Sequence, residues 1–201
     1  MIRPIVLLAT VAALAACTQE APAAGADAAE TAETTDTTQA AAPAPPPEIL
    51  SAIDAEWPAG SPAVTPAEVE AMIDADGAEA TVNALRTAGG DSRWNTAMRG
   101  IALGEDEWVR IAAPLGDGAR DGGVDNFGYA MSFALITNPE GVLGAVDTWS
   151  GHVQTVCTAG LRGLEEAAVF HTAAIAAVEA VEDTAAQAGV CLSALRAEQA
   201  G

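Results

Sequence analysis

Apolar side chains recur every three or four residues from Ile49 to the end of the chain, which is the spacing of amphipathic α-helices. The first clear helix start is Thr65-Pro66-Ala67-Glu68, where a threonine cap precedes proline and a glutamate follows three residues later. Gly77 interrupts the pattern, and a second short helix is predicted over residues 78–88. The apolar face of the first of these helices consists of Val69, Met72 and Ile73.

The middle of the chain alternates helix starts with glycine breaks. Trp94, Met98 and Ile101 share one helical face, and Gly104 is expected to end that helix in the left-handed conformation. The acidic run 105–107 then favours a new helix N-terminus, because the partial positive charge there attracts carboxylates.

Glycine and aspartate dominate the stretch from Leu115 to Asp125, which predicts a loop. The following run, Phe127 to Ile136, is apolar nearly all round, as expected of a helix at the buried centre of a domain. Asn138-Pro139-Glu140 then supplies a cap, a proline at the first helical position and a favourable acid. Further helices are predicted from His152 to Leu161, Leu164 to Val181 and Thr184 to Arg196.

These alternating helix starts and breaks predict an all-α fold for residues 49–201. No convincing strand hairpin is present, and the alanine-rich composition favours helix over sheet. The helices are expected to form a multi-helix array, packed either as a bundle or as a short α-solenoid.

The N-terminus has the pattern of an export signal. Arg3 precedes an apolar stretch from Ile5 to Ala15, which is too short to span a membrane. The sequence Leu14-Ala15-Ala16-Cys17 resembles the lipobox of bacterial lipoproteins. This resemblance implies that residues 1–16 are removed as a signal peptide and that Cys17 carries the lipid anchor. Thr18, in place of an aspartate, then favours the outer membrane, with the domain facing the periplasm.

Residues 17–48 are predicted to form a disordered tether after the lipidated Cys17. From Thr18 to Glu48 the chain holds alanine, threonine, proline and acids, without leucine, isoleucine, valine or aromatic residues. Such a segment buries too little apolar surface to offset the entropy of ordering it. Its end, Ala42 to Pro47, is expected to be extended and stiff.

The stretch from Trp94 to Leu143 resembles part of a group of uncharacterised proteobacterial helical proteins. The residues that carry this resemblance are Gly104 to Trp108, the glycine and aspartate loop, the apolar helix and Asn138 to Leu143. The resemblance implies a helical fold and no activity.

Charge narrows the choice of partners. The chain has 28 acidic residues against eight arginines and no lysine, which gives a formal net charge of −20. Such a field repels phosphate backbones and anionic lipid surfaces, so we expect no nucleic-acid binding and membrane attachment only through Cys17. The acidity is typical of a soluble domain, and it also suits a basic protein partner.

Cys157 and Cys191 remain once Cys17 is assigned to the lipid. An even pair in an exported chain favours a disulfide over two free thiols. A redox-active pair is disfavoured, because the two residues are not in a Cys-x-x-Cys motif.

No set of residues has the spacing of a catalytic, metal or cofactor site, and we expect none of the three. His171 lies on the stripe Leu164, Ala168, Ile175 and Val178, where a packed neutral side chain is expected. The aspartates of the acidic loop do not have the alternating spacing of an EF-hand, and the serines lack a Gly-x-Ser-x-Gly context. These residues are Asp117, Asp121, Asp125, Ser132 and Ser150.

The favoured interpretation is a non-catalytic cell-envelope lipoprotein with a structural or protein-binding role. The alternative is an inhibitor or immunity protein that binds a basic toxin or hydrolase. A hydrolase or metal enzyme that uses His152, His171 and the acidic loop is the third hypothesis.

Overall fold

The computed structural model describes residues 44–59, 64–87, 92–119, 125–149, 153–158 and 167–200. Within these ranges the chain forms α-helices and no strand, which confirms the all-α prediction. The lipobox, Cys17 and most of the predicted tether lie outside them. The helices are α1 Pro47–Glu56, α2 Pro66–Asp76, α3 Ala78–Thr87, α4 Ser92–Ala102, α5 Asp106–Arg110, α6 Ala112–Ala119, α7 Asp125–Ala134, α8 Pro139–Thr148, α9 Val153–Cys157, α10 Ala167–Glu179 and α11 Ala188–Gln199.

Local capping explains where several helices begin and end. The backbone N–H of Thr65 donates to Glu68 Oε2 at 2.8 Å, and the Glu68 N–H donates to Thr65 Oγ1 at 3.3 Å, so α2 starts with the predicted capping box. Gly77, with φ of 84°, separates α2 from α3, and Gly104, with φ of 74°, follows α4. Helix α1 begins at Pro47, two residues before the expected start of the helical domain, because proline is tolerated at the first helical position.

The capping box predicts a pH dependence of stability. Hydrogen bonds from the backbone and side chain of Thr65 lower the pKa of Glu68. The stability that this carboxylate contributes is therefore present above its unfolded pKa and lost as pH falls through the folded pKa. We expect Glu68→Gln to lower the urea unfolding midpoint at pH 7, and its difference from wild type to shrink as pH falls below the ordinary pKa range of glutamate. Glu182→Gln, which removes an exposed carboxylate from the turn after α10, should leave the midpoint unchanged at each pH.

Helix α7 lies at the centre of the fold, as predicted from its apolar sequence. Ala130, Met131 and Phe133 are fully buried. Neighbouring helices α4, α6, α8 and α9 pack around α7, while α1 near the start packs against α10 near the end. Because this last contact joins elements far apart in the chain, the helices form a compact bundle and not a solenoid, in which each repeat contacts only its neighbours.

The loop predicted from Leu115 to Asp125 is wrong at both of its ends. Helix α6 continues to Ala119 and α7 begins at Asp125, so only residues 120–124 lie outside the described helices. Leu115 is fully buried. A Cβ on Gly118 would lie 2.5 Å from the Ala78 carbonyl carbon, so the glycine lets α6 approach the start of α3 closely. Tertiary packing here overrides the low helix propensity of glycine.

The C-terminal helices are held together covalently. Cys157 on α9 and Cys191 on α11 form a disulfide with a Cα–Cα distance of 5.4 Å, as predicted. The hydroxyl of Ser132 on α7 is hydrogen-bonded to the Val156 carbonyl, which ties the same short helix to the core. Helix α9 is therefore attached to the fold from two sides.

The predicted stripe around His171 is only partly correct. His171 itself is buried and its ring lies 5.6 Å from that of Phe170, as expected of a packed side chain. However, Ala168 is exposed, and Phe170 and Ala174 are buried instead. Helix α10 is apolar on nearly every side, so the sequence pattern does not determine which face turns inward.

Candidate binding groove between α5 and α8

A groove with a volume of about 280 Å³ runs between the short helix α5 and helix α8. Helix α5 and the turn before α8 form its walls, and one face of α8 forms its floor. The lining residues are Asp106, Val109, Arg110, Asn138, Gly141, Gly144, Ala145 and Thr148. The groove is thus built from the two sequence stretches that begin at Gly104 and at Asn138.

Asn138 joins these two stretches. Its side-chain oxygen accepts a hydrogen bond from the Gly141 N–H at 3.0 Å, which caps α8. Its amide nitrogen donates to the Gly104 carbonyl at 3.0 Å and to Asp106 Oδ1 at 2.8 Å. One side chain therefore fixes the start of α8 against the start of α5.

Arg110 fixes the other end of α5. Its guanidinium makes a two-point contact with the carboxylate of Glu70 on α2, and the Nη2–Oε2 distance is 3.0 Å. This ion pair lowers the pKa of Glu70 and raises that of Arg110. Polar contacts thus link α5 to the start of α8 through Asn138 and to α2 through Arg110.

The floor of the groove is a face of α8 that carries small residues. Gly141, Gly144, Ala145 and Thr148 follow one another at helical spacing. A Cβ on Gly141 would lie 2.5 Å from Asn138 Oδ1, so the cap requires glycine there. A Cβ on Gly144 would meet no atom within 4 Å. The fold therefore does not need a glycine at position 144, and its absent side chain leaves the groove open.

Carboxylates flank the groove. Asp106 and Asp147 are hydrogen-bonded to the neutral amides of Asn138 and Gln187, which leave their charges uncancelled. Glu107 and Glu140 are exposed on the same two helices. Partial burial raises the pKa of Glu105, the N-cap of α5, and the charge of Arg99 opposes this effect. Because Glu70 neutralises Arg110, the rim carries net negative charge at neutral pH.

The reactive side chains singled out from the sequence lie away from this groove or outside the described residues. Ser132 is fully buried and donates to the Gly128 carbonyl at 2.8 Å. Asp117 is exposed on α6, and Asp125 begins α7. Asp121, Ser150, His152 and Cys17 are outside the described ranges. Within those ranges, no three His, Cys, Asp or Glu residues are grouped as metal ligands.

A second depression lies at the turn between α2 and α3. It has a volume of about 510 Å³ and is lined by a single stretch of chain, residues 76–80 together with Asn83. Its carboxylates, Asp76 and Glu79, are exposed. Since one turn forms the whole lining, this is an open surface, whereas the α5–α8 groove has walls from separate elements.

The groove is not predicted from the sequence. The spacing of apolar residues in α8 predicts its buried face, which consists of Val142, Leu143 and Val146. The available signal was the complementary set of small residues on the opposite side of the same helix. That Asp106 and Asn138 are in contact is a tertiary fact, since 32 positions separate them.

No protein-family model, curated protein or solved structure matches this chain. None of the helices in the described ranges has the length and apolar character needed to cross a bilayer.

Proposed function

We propose that this chain is a non-catalytic lipoprotein of the bacterial cell envelope that binds another protein through the α5–α8 groove. The groove is the observation that carries the proposal: it is preformed by Asn138 and Arg110 and is open above Gly144. Pockets for small molecules usually enclose their ligand within about 300–1,000 Å³. A groove of about 280 Å³ that is open along a helix suits a ridge of protein side chains better.

The reactive groups of the described residues favour a non-catalytic role. Cys157 and Cys191 are joined in a disulfide, Ser132 bonds to backbone carbonyls, and His171 packs against Phe170. Each of these side chains thus contributes to packing or to the links between helices. A disulfide is also typical of proteins in an oxidising compartment such as the periplasm.

The lipid anchor is tested at Cys17. We expect radiolabelled palmitate to be incorporated into the wild-type chain and Cys17→Ala to abolish the label, because the thiol of Cys17 is the group that carries the acyl chains. A Cys157→Ala/Cys191→Ala variant should keep the label, since those cysteines form the disulfide. Persistent labelling of Cys17→Ala would show that the anchor is not at this residue.

The groove is tested by capture from native envelope extract with the full chain, purified in mild detergent. Gly144→Trp fills the groove, whereas Gly189→Trp places the same side chain on α11, where an added Cβ also meets no atom within 4 Å. We expect Gly144→Trp to reduce recovery of the partner about tenfold, as for a central contact, and Gly189→Trp to leave it unchanged.

Quantitative mass spectrometry of the captured proteins distinguishes the outcomes. A protein that both wild type and Gly189→Trp recover, and Gly144→Trp does not, supports the proposal. The same proteins recovered with Gly144→Trp, or no protein enriched by the wild-type chain, would contradict it.

The second candidate is an inhibitor of a basic toxin or hydrolase. Arg99, Arg110 and Arg196 each form a salt bridge with a carboxylate, so exposed acids dominate the described surface. Such a surface attracts a basic partner electrostatically. In this case the captured protein is a basic enzyme whose activity the full chain inhibits at low salt and releases at high salt.

A further inference from the structure

We infer that the segment that binds the groove is a basic α-helix, with small or medium apolar side chains on the ridge that enters the groove and lysine or arginine beside that ridge. This inference rests on the proposed function and specifies the chemistry of the partner. Shape and charge at the groove support it separately.

The shape fits a helix. The small residues on α8 form a shallow row between Val109 of α5 and the exposed end of α8 at Thr148. Rows of side chains spaced three and four residues apart pack into grooves of this kind, and small residues let the two helix axes approach closely. From Gly141 to Thr148 the row is about 10 Å long at 1.5 Å per residue, which corresponds to about two turns of the partner helix.

The carboxylates around the groove favour a partner helix with basic side chains. Glu140 and Asp147 lie four residues before and three residues after Gly144, on the ridge beside the groove. Asp106 lines the opposite wall, and Glu107 is exposed next to it on α5. Arg110 on the same helix is already paired with Glu70. Carboxylates on both sides of an apolar floor complement a helix that has cationic side chains on both sides of an apolar ridge.

The short contact implies a weak and reversible interaction. A contact of about two helical turns is below the size of standard protein interfaces, so we expect a dissociation constant in the micromolar range. The fixed positions of Asn138 and Arg110 limit the ordering that binding requires of the groove itself.

The test uses a fluorescein-labelled helical peptide of about 16 residues, whose alanine and leucine ridge is flanked by lysines. Fluorescence anisotropy measures its binding to the full chain and to four variants. We expect Gly144→Trp to weaken binding about tenfold and Gly189→Trp to change it less than about twofold. Glu107→Gln/Glu140→Gln should weaken binding about fivefold, and the control Glu182→Gln/Asp183→Asn, with the same change in net charge, less than about twofold.

These comparisons separate the groove from the general acidity of the chain. Equal binding to Gly144→Trp and wild type would show that net charge alone holds the peptide, and the inference would fall. It would also fall if no peptide bound, if a glutamate-flanked peptide bound as well, or if the two double variants behaved alike. The capture experiment does not depend on partner charge, so groove-dependent capture without peptide binding would retain the proposed function and reject the basic helix.

Discussion

Replacement of Phe133 by alanine is expected to lower the free energy of unfolding by about 3–5 kcal/mol, the usual cost of removing a fully buried aromatic ring. The ring lies edge-on to the rings of Trp57 and Phe170, with centroid distances of 6.3 Å and 6.1 Å. Its centroid is 4.6 Å from that of Tyr129. The ring of Phe133 on α7 thus contacts the residue that follows α1 and a residue of α10. The alanine variant leaves a cavity beside these rings, and their dispersion contacts are weakened.

Urea unfolding followed by circular dichroism measures this loss. Domains of this size have total stabilities of about 5–15 kcal/mol, so the variant should unfold at a much lower urea concentration. Phe133→Leu, which keeps much of the volume, should lose less. Val190→Ala truncates an exposed apolar side chain on α11 and should remain within about 0.5 kcal/mol of wild type. A loss below about 1 kcal/mol for Phe133→Ala would contradict the central position of this ring.

Removal of the disulfide is expected to cost about 3–4 kcal/mol. Cys157 and Cys191 are separated by 34 positions. In the chain-entropy model, cross-linking a loop of this length lowers the entropy of the unfolded chain, and the resulting gain in folding free energy is about 3–4 kcal/mol. The double variant Cys157→Ala/Cys191→Ala avoids leaving one unpaired buried thiol. Since both cysteines are fully buried, the native protein should resist reductant that readily reduces the unfolded chain.

Two measurements check the disulfide prediction. The urea midpoint of the wild type should fall in the presence of reductant towards that of the double variant, and reductant should not affect the double variant. Hydrogen exchange should accelerate at residues 153–157, because helix α9 then depends on Ser132 for its attachment to α7. Equal midpoints for wild type and double variant would show that the cross-link does not contribute to stability.

The parts of the fold that the sequence predicts are those governed by local rules. The capping box at Thr65, the left-handed glycine at position 104 and the Asn138 cap each depend on residues within one helical turn. The buried helix α7 was also predictable, because nearly every residue from Phe127 to Ile136 is apolar. Such local patterns can be interpreted without knowledge of the tertiary structure.

The predictions from sequence fail where contacts between distant parts of the chain determine the structure. Gly116 and Gly118 favour a loop by composition, yet both lie in α6. A side chain at either position would overlap a neighbouring element, so close packing of α6 requires glycine at both. The inward face of α10 is predicted only in part, because the apolar residues of this helix surround its axis. The groove was missed for a related reason: its walls meet only when α5 and α8 pack together.

Asn138 also affects the kinetics of any association at the groove. Its contacts with Gly104, Asp106 and Gly141 set the relative positions of the two walls before a partner arrives. Encounter then needs no slow rearrangement of this surface, so the observed rate should rise linearly with partner concentration, in a single phase. The lifetime of the complex, and not the speed of its formation, would then determine its affinity.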